Sequence, residues 1–532
     1  MKQRLLSILL VGAMTAGLLA GCGDNDSKDK KTADNTRKEE TDKAGEKDNA
    51  SAADDELVEI VWQWPGSARE GLQEVEDALN EMLEKDIGVH VTLYPCVDWD
   101  TQLALDVAAD VQVDLCLSLS TAKVGEKADD NLILPLDDII EEYGAEIIAD
   151  NGNNFMAGYY DGKVYAMPTA WKTCETYGIY LDKAMCNKYG YYFEDSVEAG
   201  TGGHTLEEIE EIFAAVKAGE GDAYYCFAPW PNDTVFYKCV FEYDPLAGGS
   251  VASGVLMLNE SFENTTIENL FETETFEEYA RKMYEWQQKG YISKDAATID
   301  SHSDFMQSGT CLACFYWSKN YDQILDASSS YLGTEVYRLN LTPSYKASPS
   351  TIGWSVPVTS VNPQKAVETL NYIYEHDEAA WLLQYGIEGR DYEVIEEQEV
   401  EGNRQLKIKY LADDPNALPY YQMYGVYGDR FGWPAVGEAT DIMTNRIAQA
   451  EDEAVPDSRI SCAPGYVFNS NSVSNEIMAI NAVINEYVTS INCGVKDPDV
   501  LLPEFREALK NAGIDKVIEE NQRQFDEWLQ NK

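Results

Sequence analysis

Positive charge is scarce in this sequence: 40 lysines and arginines stand against 94 aspartates and glutamates, a formal net charge of −54. A field of that sign repels phosphate, so nucleic acid is excluded as a partner, and most of the acid reads as a solvated surface. Histidine is scarcer still, with only His90, His204, His302 and His376, far apart in the chain. Cys311-x-x-Cys314 therefore lacks two further ligands at usable spacing, and no metal site is expected. In T-C-L-A-C-F-Y-W the pair reads instead as small apolar side chains of a buried strand. The eleven cysteines lack the short, dense spacings of a disulfide scaffold. Nucleophile-elbow, zincin and phosphate-loop signatures are missing, so no catalytic residue is assigned. Carboxylates are so abundant that a pair suited to glycoside hydrolysis could always be named, which deprives any one pair of weight. Beyond the N-terminus no run of eighteen apolar residues occurs, and no internal repeat or heptad run is found.

What is present begins with length. A chain of 532 residues exceeds what one core usually supports, so two or three packed units are expected. Lys2 and Arg4 form a positive leader, Leu5 to Leu18 an apolar stretch, and Leu19-Ala20-Gly21-Cys22 a small-residue cleavage site. L-A-G-C is similar to a bacterial lipobox, which implies removal of residues 1–21, acylation of Cys22 and stable attachment to a membrane. Residues 22–55 are almost devoid of apolar side chains and cannot bury a core. As a flexible tether of about thirty residues they would hold the folded part on the order of 30 Å from the membrane surface.

The folded part opens with strands alternating with helices. Leu57 to Trp62, Val89 to Tyr94 and Val113 to Leu117 read as strands. Ser67 with Glu70 reads as a capping box for a helix whose Leu72, Val75, Leu79, Met82 and Leu83 share a face, with Gly88 just past its end. This alternation predicts a parallel sheet. Ligands of such sheets sit beyond the carboxyl ends of the strands, which places Trp62, Gln63, Trp64, Asp98, Trp99 and Ser118 to Thr121 near a cleft mouth.

The stretch from Tyr159 to Lys183 organises the rest. Asp161-Gly162 is a tight-turn pair, Lys163 to Met167 alternates like a half-buried strand, and Pro168 stops the ladder. Tyr177 to Leu181 is a second strand, and Asp182 caps a short helix after it. Two strands separated by Pro168-Thr169-Ala170-Trp171 suit a chain leaving one sheet and entering another, a hinge between lobes. Further on, Thr205 to Lys217 and Glu277 to Lys289 read as amphipathic helices, and Pro229 and Pro231 clamp Trp230 in a loop.

The Y-A-M-P strand and its aromatic successor, the F-M-Q-S-G-T-C-L-A-C stretch from Phe305, Ile352 to Pro357 with Asn362 to Ala366, and above all Y-G-I-E-G-R-D-Y at Tyr385 to Tyr392 resemble extracellular solute-binding lipoproteins of sugar ABC importers. The likeness runs from Met1 to Trp528. Gly465 to Phe468, Ser472 to Ile477, Ala479 to Val483 and Gly513 to Val517 match a Gram-positive subfamily with a characteristic C-terminal extension. The resemblance implies an α/β, two-lobe periplasmic-binding-protein-like (type II) fold with hinge crossovers. It implies residues 56–170 as the first part of lobe 1, 171–347 as lobe 2, 348–400 as the return to lobe 1, and 401–532 as a helical extension packed on lobe 2 and the hinge. It also implies a monomeric, lipid-anchored receptor on the extracellular face that hands an oligosaccharide to the membrane-spanning permease subunits, with no cofactor. A surface glycoside hydrolase and an oligopeptide receptor are the alternatives.

Sugars present weakly apolar ring faces edged by hydroxyls, so their sites need aromatic planes for stacking and polar groups at the rim. Among the eleven tryptophans, Trp64, Trp171, Trp230, Trp317 and Trp433 lie beside Pro, Gly or strand ends and are the candidates for a cleft. Trp286, Trp381 and Trp528 sit on amphipathic helices and read as core. The aromatic loop from Tyr420 to Pro434 adds Asp429 and Arg430, and Ser118 adds a hydroxyl at a strand end.

Overall fold

The computed structural model describes residues 57–531 apart from 172, 194–202, 248, 299–301, 319–331, 350–351, 401–402, 426 and 439. The expected signal segment, the tether and Cys22 lie outside the described residues, as do the side chains of Trp317, Ser318 and Asn403. Among the described residues no helix is long and apolar enough to cross a membrane.

In the first lobe β1 (Val58–Pro65) runs parallel to β2 (Val89–Cys96), and Leu115 bridges to Trp62 in the same sense. The chain continues into β3 (Cys116–Ser118), which pairs with β14 (Gly353–Ser355), itself paired with β6 (Met167–Pro168). The helix Leu72–Ile87 buries Leu72, Val75, Leu79 and Leu83 against this sheet, with Met82 only partly covered, and Gly88 ends it in the left-handed conformation at φ 66°. The expected capping box does not form. Gly71 is the N-cap; its N–H donates to the Pro419 carbonyl at 2.9 Å, and Arg69 donates to Asn416. Contacts with a distant loop fix this entry in place of the local Ser67 and Glu70 side chains. Asp161 and Gly162 both take positive φ and join β4 (Tyr159–Tyr160) to β5 (Lys163–Val164), the turn their chemistry predicts.

The second lobe is built on β7 (Thr176–Asp182), flanked antiparallel by β12 (Cys311–Ser318) and β13 (Val336–Asn340), with β8 (Tyr225–Ala228) parallel to β12. Cys311 and Cys314 are buried in β12 as apolar fillers. A small antiparallel sheet of β9 (Tyr243–Asp244), β10 (Val255–Met257) and β11 (Ile267–Glu268) extends this lobe. The helix Leu206–Glu220 carries a complete capping box between Thr205 and Glu208 and buries Ile209, Ile212, Phe213 and Val216. Trp286, on the helix Glu274–Gln288, packs on Phe213 and Phe227.

The C-terminal 130 or so residues are divided between the lobes. The hairpin of β15 (Tyr392–Val400) and β16 (Asn403–Tyr410), with β17 (Ala435–Val436), joins the first core through Leu406, Ile408, Tyr420, Tyr427 and Trp433. This corrects the expectation that everything after residue 400 packs on lobe 2 and the hinge. The reason is the alternating apolar face of β16, which needs the first lobe to cover it. Helices Ser474–Asn492, Pro498–Ala512 and Ile514–Asn531 bury Ile480, Ile484, Phe505, Val517 and Phe525 in the second core.

Y-G-I-E-G-R-D-Y is a structural knot within the first lobe. Gly386 and Gly389 take φ of 81° and 80°, and the fully buried Asp391 carboxylate accepts from the N–H groups of Ile387 at 2.8 Å and Tyr420 at 3.2 Å and from Arg390 at 2.5 Å.

The chain passes between the lobes three times: from β6 to β7, from β13 to β14, and from β17 to Ala463. One side chain ties the three passages. Asp452, on the helix Thr444–Glu453 of the third, accepts from the N–H groups of Thr173 at 2.7 Å and Cys174 at 2.6 Å and from Lys346 Nζ at 2.6 Å. Beside it Glu175 and Tyr345 form an antiparallel bridge, and Lys238 pairs with Glu175 at 2.5 Å among the rings of Tyr177, Tyr243 and Tyr345.

Candidate functional site

The carboxyl ends of β1 and β2 are covered by the loop from Tyr420 to Pro434. Gln422 Nε2 donates to the Pro65 carbonyl at 3.2 Å, and the Tyr424 ring meets Trp99 edge to face at 5.4 Å. Trp99 opens the helix Trp99–Ala108, whose N-cap Asp98 accepts from Thr101 N–H, and Gln63 Nε2 donates to the Trp99 carbonyl at 3.1 Å. Trp99 and Tyr424 are half-buried, while Val97 and Met423 beside them are 71% and 66% exposed. Strand ends, helix cap and loop thus build an apolar lip.

The same loop then reaches the first crossover. Ala170 and Asp429 form a parallel bridge, and Arg430 N–H donates to the Ala170 carbonyl at 3.2 Å. That register lays the Arg430 guanidinium over the Trp171 ring at 3.0 Å, with Trp433 on its other side at 5.1 Å. Burial pushes the guanidinium down to about 9, so it stays charged at neutral pH. Asp429 Oδ1 accepts from Phe431 N–H at 3.0 Å. Burial, then the neighbouring Asp429, raise the Asp150 carboxyl to about 7 and the Asp377 carboxyl to about 6, while Arg446 opposes both shifts. Burial raises Asp429 as well. Ring faces, a fixed guanidinium and carboxyls that accept or donate suit a ligand with apolar faces and many hydroxyls.

The structure brings Trp171, Asp429, Arg430 and Trp433 together. Trp64 joins them from beneath: it is 3% exposed, stacked at 5.5 Å on Tyr427 and packed on Trp62 and Trp354. Ser118 is fully buried and bonded at 3.0 Å to Lys127 Nζ, which pairs with Asp100 at 2.8 Å. Both therefore back the strand ends and present no open face. Trp230 belongs to a separate stack in the second lobe, between Phe236 at 4.5 Å and His302 at 3.6 Å, where burial holds the imidazole near 3. Its loop is held by Asn492 Nδ2, which donates to the carbonyls of Trp230 and Asp233 at 2.9 Å. Trp317 pairs through its backbone with Tyr177 in β12. Among the described residues no group of three or more His, Cys, Asp and Glu side chains is placed to hold a metal ion. Asp150, Asp377 and Arg446 escape sequence reasoning, because no local signal marks residues that meet only through the crossovers.

Residues 65–380, more than half of the chain, match the family of bacterial extracellular solute-binding proteins, and residues 462–530 match a domain of unknown function. A carbohydrate ABC transporter substrate-binding protein of Streptococcus pneumoniae serotype 4 is 24% identical, over 98% of this chain and 97% of its own. Among solved structures, the N-glycan transport solute-binding protein of Streptococcus pneumoniae superposes with a TM-score of 0.68 at 21% identity, covering 89% of this chain and 99% of the other. Its complex with Man5GlcNAc superposes at 0.56, with 22% identity and the same coverage. An extracellular solute-binding protein of Bifidobacterium longum subsp. infantis superposes at 0.60, with 13% identity over 90% and 99% of the two chains. With two α/β lobes joined by crossovers and a family match that spans both, the chain belongs to the bacterial extracellular solute-binding proteins.

Proposed function

We propose that this protein is the substrate receptor of an ABC importer, that it closes its lobes over an oligosaccharide and that it passes the sugar unchanged to the permease. The observation that carries this reading is the meeting of Trp171, Arg430 and Asp429 at the crossover, below the Trp99 and Tyr424 lip. A stacking surface beside fixed polar groups is what a sugar ring requires, and at a hinge it senses closure. Whole-length similarity to a carbohydrate receptor supports the same substrate class. Lipid on Cys22, the tether, a monomeric state and an extracellular, membrane-anchored location complete the proposal. Trp171, Asp429, Arg430, Trp99 and Tyr424 would touch the ligand, Trp64, Trp433 and Ser118 would support them, and Trp230 and Trp317 would serve from the second lobe.

Thermal-shift titration with neutral oligosaccharides, Man5GlcNAc and kestose among them, tests this, followed by mass spectrometry of the recovered sugar. A raised melting temperature with the sugar intact is expected. A shift with peptides alone would make the protein a peptide receptor. Cleaved sugar would turn attention to Asp150 and Asp377 as an acid and base pair.

A further inference from the structure

The C-terminal segment that matches a domain of unknown function touches both lobes. Its hold on the second lobe is extensive. Asn521 Nδ2 donates to the Ser253 carbonyl at 2.7 Å, Gln522 Oε1 accepts from Ile267 N–H at 2.7 Å, and Arg506 donates to the Phe271 carbonyl at 2.8 Å. Phe505 packs edge to face on Phe271 at 4.9 Å. These bonds and the buried helix faces make the segment part of the second lobe.

From that base one loop reaches the first lobe. Asn469 is clamped to the last helix by reciprocal bonds with Gln524, its N–H donating to Oε1 at 3.0 Å and its carbonyl accepting from Nε2 at 2.9 Å. The Asn469 side chain donates to Asp129 Oδ2 at 2.9 Å and to the Tyr160 hydroxyl at 3.2 Å, and Asn471 Nδ2 donates to the same Asp129 oxygen at 3.3 Å. The Tyr160 hydroxyl donates to that oxygen at 2.8 Å. Asp129 ends the helix Thr121–Asp129 and Tyr160 lies in β4, both first-lobe elements. A second touch lies nearby. A Cβ on Gly465 would stand 3.0 Å from the terminal methyl of Met156, a close approach that this flexible side chain could relieve, and the φ of 90° is what favours glycine here.

We propose that residues 462–530 are an inter-lobe brace: fixed to the second lobe, they grip Asp129 of the first through Asn469 and Asn471 and thereby set how far the empty protein opens. The crossovers tied by Asp452 allow rotation about one region. A contact away from that region forms at one lobe setting and is lost at others, so it selects among settings. The grip is at the surface and polar, which makes it weak enough to yield to a ligand.

The test reads the empty protein and does not depend on what the cleft binds. Spin labels at E81C, on an exposed first-lobe helix position, and E278C, on an exposed second-lobe one, report inter-lobe distance in the full chain, with the singly substituted proteins as background. Substituting Asn469→Ala with Asn471→Ala should broaden the distance distribution and shift its mean. Asp129→Ala should do the same, and the combined variant should add nothing further. Melting temperatures close to that of the parent would show that the fold is intact. An unchanged distribution in both variants, or additive changes on combining them, would overturn the brace.

Discussion

Trp171 and Trp64 are both tryptophans beside a proline or a strand end, yet their surroundings give them opposite expected roles. Trp171 is half-buried and carries a guanidinium on its face, so Trp171→Ala should weaken oligosaccharide binding by about tenfold, the worth of one stacking face, with little change in melting temperature. Trp64 is packed among Trp62, Trp354 and Tyr427, so Trp64→Ala should cost about 3–5 kcal/mol of stability. Calorimetry and denaturant unfolding separate the two, and equal losses of stability would refute the assignment. Asp150 gives a pH dependence. Its carboxyl is raised to about 7 in the folded protein, against a lower unfolded value, so the folded state holds the proton more tightly. This stability is present below the unfolded value and is lost as pH rises through about 7. Asp150→Asn should therefore stabilise the protein at pH 8, by about 1 kcal/mol after discounting for solvent screening, and flatten the melting curve between pH 5 and 8. A variant with the parent's pH profile would rule out this cause.

Elements show why parts of the fold were legible and others were not. Thr205 with Glu208 and Ser67 with Glu70 carry the same signature, and only the first forms a capping box. The first opens on solvent, and Glu208 reaches the Thr205 N–H while it also meets His204, whereas the second segment is bonded to Pro419 and Asn416, over three hundred residues away. Thr205→Ala should accordingly cost about 1 kcal/mol, and Ser67→Ala nearly nothing, in thermal unfolding. The Asp161-Gly162 turn and the apolar face of Leu72–Ile87 needed only local chemistry, and both were readable. Y-G-I-E-G-R-D-Y was readable as a motif but not as a knot, since its carboxylate serves Tyr420 as well as its own loop. Asp391→Ala would strand the Ile387 and Tyr420 N–H groups and leave the Arg390 guanidinium with Glu74 as its remaining carboxylate partner. A loss of about 3 kcal/mol is expected, and a loss below about 1 kcal/mol in urea unfolding would contradict the role.

At the level of the whole molecule, the first crossover was visible because Pro168 and the change of pattern after it are local facts. The third passage was not. Residues 403–436 return to the first core and 463 onward to the second, a division set by which lobe offers an apolar surface. The site suffers from the same distance: Trp171 and Arg430 were each nameable, and their stacking depends on a bridge between Ala170 and Asp429 that only the folded chain creates. The central claim is closure on a sugar at this junction. Small-angle X-ray scattering of the protein with and without saturating neutral oligosaccharide measures it most directly. The account predicts a smaller radius of gyration with at least one such sugar, and an unchanged radius with all of them, alongside contraction by peptides, would contradict it.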